Sequence, residues 1–125
     1  MAFEPVLEGV VGACRGALGA ALWGVDGIPI AQVARTGSGR DPLAEDSGAW
    51  GLELNRIFTE LRGISAAAGT GGLCEIWVRL DDFSLGLWQI DTDLVFALAL
   101  EPHGNLGQAR YLIRRNLEAI RSQVG

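Results

Sequence analysis

The sequence predicts an α/β (α+β) fold: a five-stranded, mostly antiparallel sheet with helices on both faces, in the order αββαβββα. Three observations predict it. Asp26-Gly27 stands between two apolar runs, the strongest short hairpin signal in the chain. Three further apolar runs, 73–80, 83–90 and 94–100, follow one another across short Asp-bearing turns. The last of them, Leu94-Val-Phe-Ala-Leu-Ala-Leu100, is apolar at every position. Such a run suits a strand in the middle of a sheet that is covered on both faces.

Taken in order, the first helix is expected over about Phe3–Arg15. Phe3, Leu7, Val10, Val11 and Cys14 recur at helical spacing, and Pro5 sits in the first turn, where its missing N–H costs little. Gly9 and Gly12 weaken this helix. The hairpin strands are Leu18–Val25 and Ile28–Ala34, and Pro29, unable to donate to a ladder, assigns the second to a sheet edge. Residues 35–47 read as a polar, Gly- and Pro-containing link. A middle helix is expected to begin between Leu43 and Gly48 and to end near Ala67 or Ala68, stopped by Gly69-Thr-Gly-Gly72. Leu54, Ile57, Phe58, Leu61 and Ile64 form its apolar stripe, and Asn55, Arg56, Thr59, Glu60 and Arg62 its opposite, polar face. The last helix is expected over about Leu106–Gln123. Asn105 is its N-cap, and Gln108 stands where a capping box places its reciprocal partner. Its buried stripe is Leu106, Ile113, Leu117, Ile120 and Val124.

If the first and last strands are neighbours, the edge opposite Pro29 falls to the strand carrying Ile76-Trp77-Val78. Only Glu75 and Arg79 discourage pairing there. A flat apolar edge is usually covered or paired, and a two-fold copy of the same strand would cover it.

At 125 residues the chain has room for one domain, 1–125. Hydrophobic residues make up 49% and charged residues only 20%, so either the core is unusually apolar or apolar surface is kept for a partner. The net charge of −5, with no lysine at all, argues against nucleic acid. No basic amphipathic block and no run of 18 apolar residues points to a membrane, and the start Met-Ala-Phe-Glu-Pro is unlike a signal peptide. A cytoplasmic protein is expected, and Cys14 and Cys74, far apart and outside any CxxC pattern, read as plain buried thiols.

Catalytic ingredients are sparse. His103 lies in a Pro-His-Gly-Asn turn, and Asp26, Asp81, Asp82, Asp91 and Asp93 all fall in turns, where Asp is favoured for local hydrogen bonding. Asp91-Thr-Asp93 is far too short for an EF-hand loop. Cys74 lies in an apolar strand with no histidine near it. Gly69-Thr-Gly-Gly72 follows a helix and precedes a strand, the reverse of a phosphate cradle, and Gly37-Ser-Gly39 reads as a plain loop. No catalytic residue, cofactor or metal is therefore expected. The candidate surfaces are the edge strand Glu75, Ile76, Trp77, Val78 and Arg79, and the middle helix with Trp50, Asn55, Arg56, Thr59, Glu60 and Arg62. Trp77 would face either the middle helix or a two-fold neighbour, and Trp50 is either a partner anchor or an ordinary packing residue.

Two segments carry a family likeness. Gly16-Ala-Leu-Gly-Ala-Ala-Leu-Trp-Gly-Val-Asp-Gly-Ile-Pro-Ile30 resembles the first hairpin of the Roadblock (dynein light chain) family, including its Asp-Gly-Ile-Pro turn. Ala97-Leu-Ala-Leu-Glu-Pro-His-Gly-Asn-Leu-Gly-Gln-Ala-Arg-Tyr-Leu-Ile-Arg-Arg115 resembles that family's last strand running into its final helix. The element order matches over nearly the whole chain, while the middle helix matches in pattern only. The resemblance implies a Roadblock/longin-like, profilin-like fold. It implies a homodimer with one sheet continued across the two-fold axis and the two middle helices side by side. It also implies a non-catalytic adaptor or regulator of a Ras-like small GTPase, or a partner for a related Roadblock protein. The bacterial branch includes polarity regulators that stimulate GTP hydrolysis without inserting an arginine finger, so no catalytic residue carries over. A small-molecule-sensing module or a purely structural scaffold is the alternative expectation.

Overall fold

The structure, a computed structural model, describes residues 3–24, 26–35, 42–45, 47–91 and 93–124; for 44, 45, 47–49, 123 and 124 it describes the backbone alone. Its elements are α1 (Glu4–Ala13), β1 (Ala17–Gly24), β2 (Pro29–Ala34), α2 (Pro42–Glu45), α3 (Ser47–Ala68), β3 (Glu75–Arg79), β4 (Ser84–Asp91), β5 (Leu94–Leu100) and α4 (Leu106–Val124). The expected order holds, with α2 as an added turn of helix. The region read as a polar link is thus corrected in part, because Leu43 on α2 is fully buried. A single leucine after Asp41-Pro42 carries no period, so the sequence signalled only the proline-led start.

The sheet order is β2-β1-β5-β4-β3, antiparallel throughout. The proline-bearing β2 takes one edge and β3 the other. β5 runs down the middle with every residue buried, as its unbroken apolar run requires. Alternation along the strands sorts the core into two layers. Leu22, Trp88, Phe96, Leu98 and Leu100 meet α1 and α4 through Leu7, Val10, Val11, Ile113 and Ile120. Trp23, Leu85, Leu87, Val95 and Ala97 meet Leu43, Leu54 and Phe58 on the other face. The expected stripe of α4 is buried at Ile113 and Ile120 and half-buried at Leu106 and Leu117; the side chain of Val124 lies outside the described residues.

Chain reversals are set by local chemistry. Gly27 has φ +83°, and the Asp26 carboxylate accepts from the Ile28 N–H at 3.0 Å. At the end of α3, the Gly69 N–H donates to the Ala66 carbonyl at 3.3 Å and the Thr70 N–H to the Ser65 carbonyl at 3.1 Å. With Gly69 at φ +68°, this is a Schellman cap. Asn105 caps α4 by accepting from the Gln108 N–H at 2.9 Å. The expected reciprocal bond is replaced. The Gln108 side chain accepts instead from the Arg15 N–H at 2.9 Å, and the Asn105 N–H donates to the Arg15 carbonyl at 3.1 Å. The capping residues thereby tie α4 to the α1–β1 junction.

The C-terminus of α1 is satisfied from a distance. The Arg35 guanidinium donates to the carbonyls of Val11 (2.7 Å) and Cys14 (2.8 Å). A cation here also complements the helix dipole. Arg35→Ala is expected to destabilise the fold by about 1–3 kcal/mol, the usual cost of losing charge-assisted bonds to half-buried groups. Urea unfolding followed by circular dichroism reads it, and an unchanged midpoint would show that water replaces the guanidinium freely.

Among the described residues, no helix is long and apolar enough to cross a membrane.

Candidate functional site

The β3 edge is open, and the hydrogen bonding of its inner side determines what it offers outward. The Gln89 N–H donates to the Cys74 carbonyl (3.1 Å), and the Leu80 N–H donates to the Phe83 carbonyl (2.9 Å). Cys74 and Leu80 therefore bond inward to β4. By the two-residue alternation of an antiparallel ladder, Ile76 and Val78 do the same. Glu75, Trp77 and Arg79 are left with their N–H and C=O groups directed away from the sheet.

The side chains of β3 divide the same way. Ile76 and Val78 are half-buried on the α3 face. Trp77 lies on the opposite face, in the layer covered by α1 and α4, where its ring stands edge-on to Trp88 at 4.9 Å. The alternative in which Trp77 faces the middle helix is thus corrected. It is seated over Gly86, its neighbour on β4: a Cβ at Gly86 would stand 2.8 Å from the Trp77 ring and 2.6 Å from that of Trp88. Glu75 shares the Trp77 face. Its carboxylate accepts from the Trp88 indole N–H at 2.7 Å and pairs with Arg110 of α4 at 2.7 Å. Arg79, on that face too, is exposed and has no ion-pair partner among the described residues.

On α3 the structure redraws the expected faces. Leu54 and Phe58 are buried, but Ile57 (44% exposed), Leu61 (37%) and Ile64 (64%) are not. The five-residue stripe is wider than the strip of sheet it meets. Only its flank at Leu54 and Phe58, extended by Gly51, reaches the core. The polar set divides as well. Asn55 and Arg62 are half-buried, Asn55 beside Trp23 and Gly24 of β1 and Arg62 over the Phe58 ring at 5.8 Å. Arg56, Thr59 and Glu60 are exposed. Trp50 packs its ring edge-on against Phe83 at 5.7 Å and is half-buried.

These contacts orient the exposed stripe. Trp50 falls one heptad before Ile57 and so shares a side of the helix with Ile57, Leu61 and Ile64. That side meets the β3–β4 turn through Phe83, whereas Asn55 on the opposite flank meets β1. The stripe therefore flanks the β3 side of the fold. Sequence periodicity could find these residues but not their exposure, because a helical stripe looks the same whether its partner is in the same chain or another.

The remaining candidates stay apart. His103 is exposed in its turn, and among the described residues no three His, Cys, Asp or Glu side chains gather as a metal site. Cys14 is fully buried as expected, but the reading of Cys74 as a buried strand residue is corrected: it precedes β3 at the end of the Gly-rich stop and is exposed. Burial pushes the Cys14 thiol above its usual range, and Arg35 opposes this more weakly. A thiol raised in this way stabilises the fold below the unfolded thiol's pKa and loses that contribution as pH climbs through the folded value. A thiol-exchange reagent at pH 8 is expected to titrate Cys74 in the folded protein and Cys14 only on unfolding. Equal rates for the two would show that Cys14 is accessible.

No family model and no curated protein sequence matches the chain. Solved structures do. MglC from Myxococcus xanthus is 30% identical, with 98% of this chain and 99% of that one covered and a TM-score of 0.68. A Roadblock/LC7 domain from Streptomyces avermitilis is 15% identical over 99% of this chain and 98% of its own, with a TM-score of 0.83. An MglB structure with a tetrameric arrangement is 16% identical over 92% of this chain and 82% of its own, with a TM-score of 0.80.

Proposed function

The chain belongs to the Roadblock/LC7 family, and on that premise we propose that it is a non-catalytic, cytoplasmic, homodimeric adaptor or regulator. Its partner is a Ras-like small GTPase, a related Roadblock protein or another component of a signalling or motility system. Residues 1–125 act as one domain. The observation that carries this reading is the joint exposure, on one side of the fold, of an unpaired sheet edge and an apolar helix stripe. A second copy placed about a two-fold axis would pair β3 with β3, continue the sheet, and bring the stripe at Ile57, Leu61 and Ile64 against its own copy. An apolar patch beside an unpaired edge is a liability in a lone monomer and an asset in an interface. The MglB structure described as tetrameric is a case of self-association on this fold. The exposed polar residues Arg56, Thr59 and Glu60, doubled by the axis, would then offer a broad platform to the partner.

The test has two arms. Sedimentation of the purified protein at micromolar concentration is expected to give a dimer, and a clean monomer would remove the basis of the reading. A pull-down from the source cell's lysate, run with GDP and with a non-hydrolysable GTP analogue, is expected to capture a small GTPase in one nucleotide state. Capture of other partners alone, indifferent to nucleotide, would move the function to scaffolding.

A further inference from the structure

We infer that β3 pairs with a second copy of this chain in one register only, with Trp77 on the two-fold axis and Glu75 of each copy opposite the partner's Arg79. The inference rests on the homodimer proposed above and specifies what that interface selects.

The geometry is restrictive. A two-fold axis through an antiparallel strand pair lies normal to the sheet, so each face continues as the same face in the partner. Residues opposite each other must therefore have side chains on the same face, which permits only registers centred on a residue. Three centres keep most of β3 overlapped. With Ile76 on the axis, Glu75 faces the partner's Trp77, and Arg79 passes beyond the end of the partner strand. With Val78 on the axis, Arg79 faces the partner's Trp77, and Glu75 meets the partner's Asp81, a like-charge pair. With Trp77 on the axis, all of Glu75–Arg79 is overlapped.

That third register matches both the backbone and the charges. Glu75, Trp77 and Arg79 hold the outward N–H and C=O groups, and here each meets one of the same set. The pairs are Trp77 with Trp77, and Glu75 with Arg79 twice. Each can exchange two hydrogen bonds. Glu75 and Arg79 share one face, and among the described residues Arg79 has no ion-pair partner. The Glu75 carboxylate is held by Trp88 and Arg110, yet two oxygens offer about four acceptor sites, so room is left for a second guanidinium. Residues that would discourage pairing with an arbitrary strand thus become complementary when the other strand is a copy running the opposite way. Because Trp77 lies back over Gly86 rather than across the edge, it leaves the axis open for close approach.

The consequence is selectivity. A sister chain whose edge strand lacks an acid and a base two residues either side of the centre would leave Arg79 unpaired or place like charges together. Arg79→Glu is expected to weaken the homodimer by about tenfold or more, because two attractive pairs become repulsive. Adding Glu75→Gln to that variant removes the repulsion while keeping a group that can accept from Trp88, and it should recover part of the loss.

The register itself is read by disulfide trapping in the full chain with Cys74→Ser. Ile76 and Val78 would form the closely spaced, non-hydrogen-bonded pairs, whose Cα separation of about 4.5 Å lies within disulfide range. Ile76→Cys mixed with Val78→Cys is expected to give a covalent dimer on oxidation, and neither alone should do so. A covalent dimer from Ile76→Cys alone would put Ile76 on the axis, and one from Val78→Cys alone would put Val78 there; either overturns the register. No covalent dimer from any of them, with the wild type sedimenting as a dimer, overturns it as well. Unchanged affinity in Arg79→Glu overturns the charge selection. A monomeric wild type is a different result, because it removes the homodimer on which the inference rests.

Discussion

Ile64→Glu is expected to turn the proposed dimer into a monomer at micromolar concentration, lowering the melting temperature only by what self-association itself contributes. Ile64 is 64% exposed, so its side chain contributes little to the fold of one copy. In the proposed dimer the stripe of Ile57, Leu61 and Ile64 meets its own copy, so a carboxylate at 64 would be stripped of water among apolar side chains. Desolvating an unpaired charge at the centre of an interface costs about 2 kcal/mol or more, a weakening of roughly thirtyfold. Ile64→Ala should show a smaller effect in the same direction, because it removes area without adding charge. Analytical ultracentrifugation over a concentration series reads both variants. An Ile64→Glu protein that sediments as the wild type would place the apolar stripe outside the dimer contact. A melting temperature below that of the wild type diluted until it is monomeric would show that Ile64 serves the core of a single copy.

Gly27→Ala is expected to have the largest effect on the fold itself, about 3 kcal/mol or more. Two costs add. Gly27 sits at φ +83°, where a side chain is strained by about 1 kcal/mol. The new Cβ would also stand 2.8 Å from the Gly51 carbonyl oxygen and 2.9 Å from the Leu52 Cα. Both are backbone atoms of α3, so no rotamer change relieves the overlap, and α3 would have to lift from the hairpin. In a chain of this size such a loss lowers the melting temperature by about 10 °C. Gly9→Ala is the matched control. It lies within α1 with open space around its would-be Cβ, so the same substitution should be neutral or stabilise by up to about 1 kcal/mol. Similar melting temperatures for the two variants would show that the hairpin does not press on α3.

Much of the fold was legible because its signals are local. Asp26-Gly27 defines a turn by its own geometry, and the Gly69-Thr-Gly-Gly72 stop needs only the last turn of α3. The apolar run of β5 needs only its own composition. Other features were not legible. Leu43 is a lone apolar residue in a polar stretch, and its burial depends on where α2 lands against β1 and β2. Gln108 has the right spacing for a capping box, yet the Arg15 N–H, 93 residues away in sequence, takes its side-chain oxygen. Arg35 at the end of a strand gives no hint that it caps α1.

The candidate site shows the same division. The sequence alone put the proline-bearing strand at one edge and β5 inside the sheet; that β3 is the other edge followed only if β1 and β5 are neighbours, and the fold supplies that pairing. The sequence also determined that α3 carries an apolar stripe near a polar set. Only the tertiary structure decided that Trp77 faces α4 and not α3, because a strand's period separates two faces without saying which layer covers each. The fold alone decided that Ile57, Leu61 and Ile64 remain uncovered, since burial depends on the width of the sheet beneath the helix. It also brought Glu75 to Arg110 and Trp88, while Arg79 has no ion-pair partner among the described residues. Local chemistry is written in neighbouring residues and can be read from them, whereas exposure and pairing are properties of surfaces that exist only once distant segments have met.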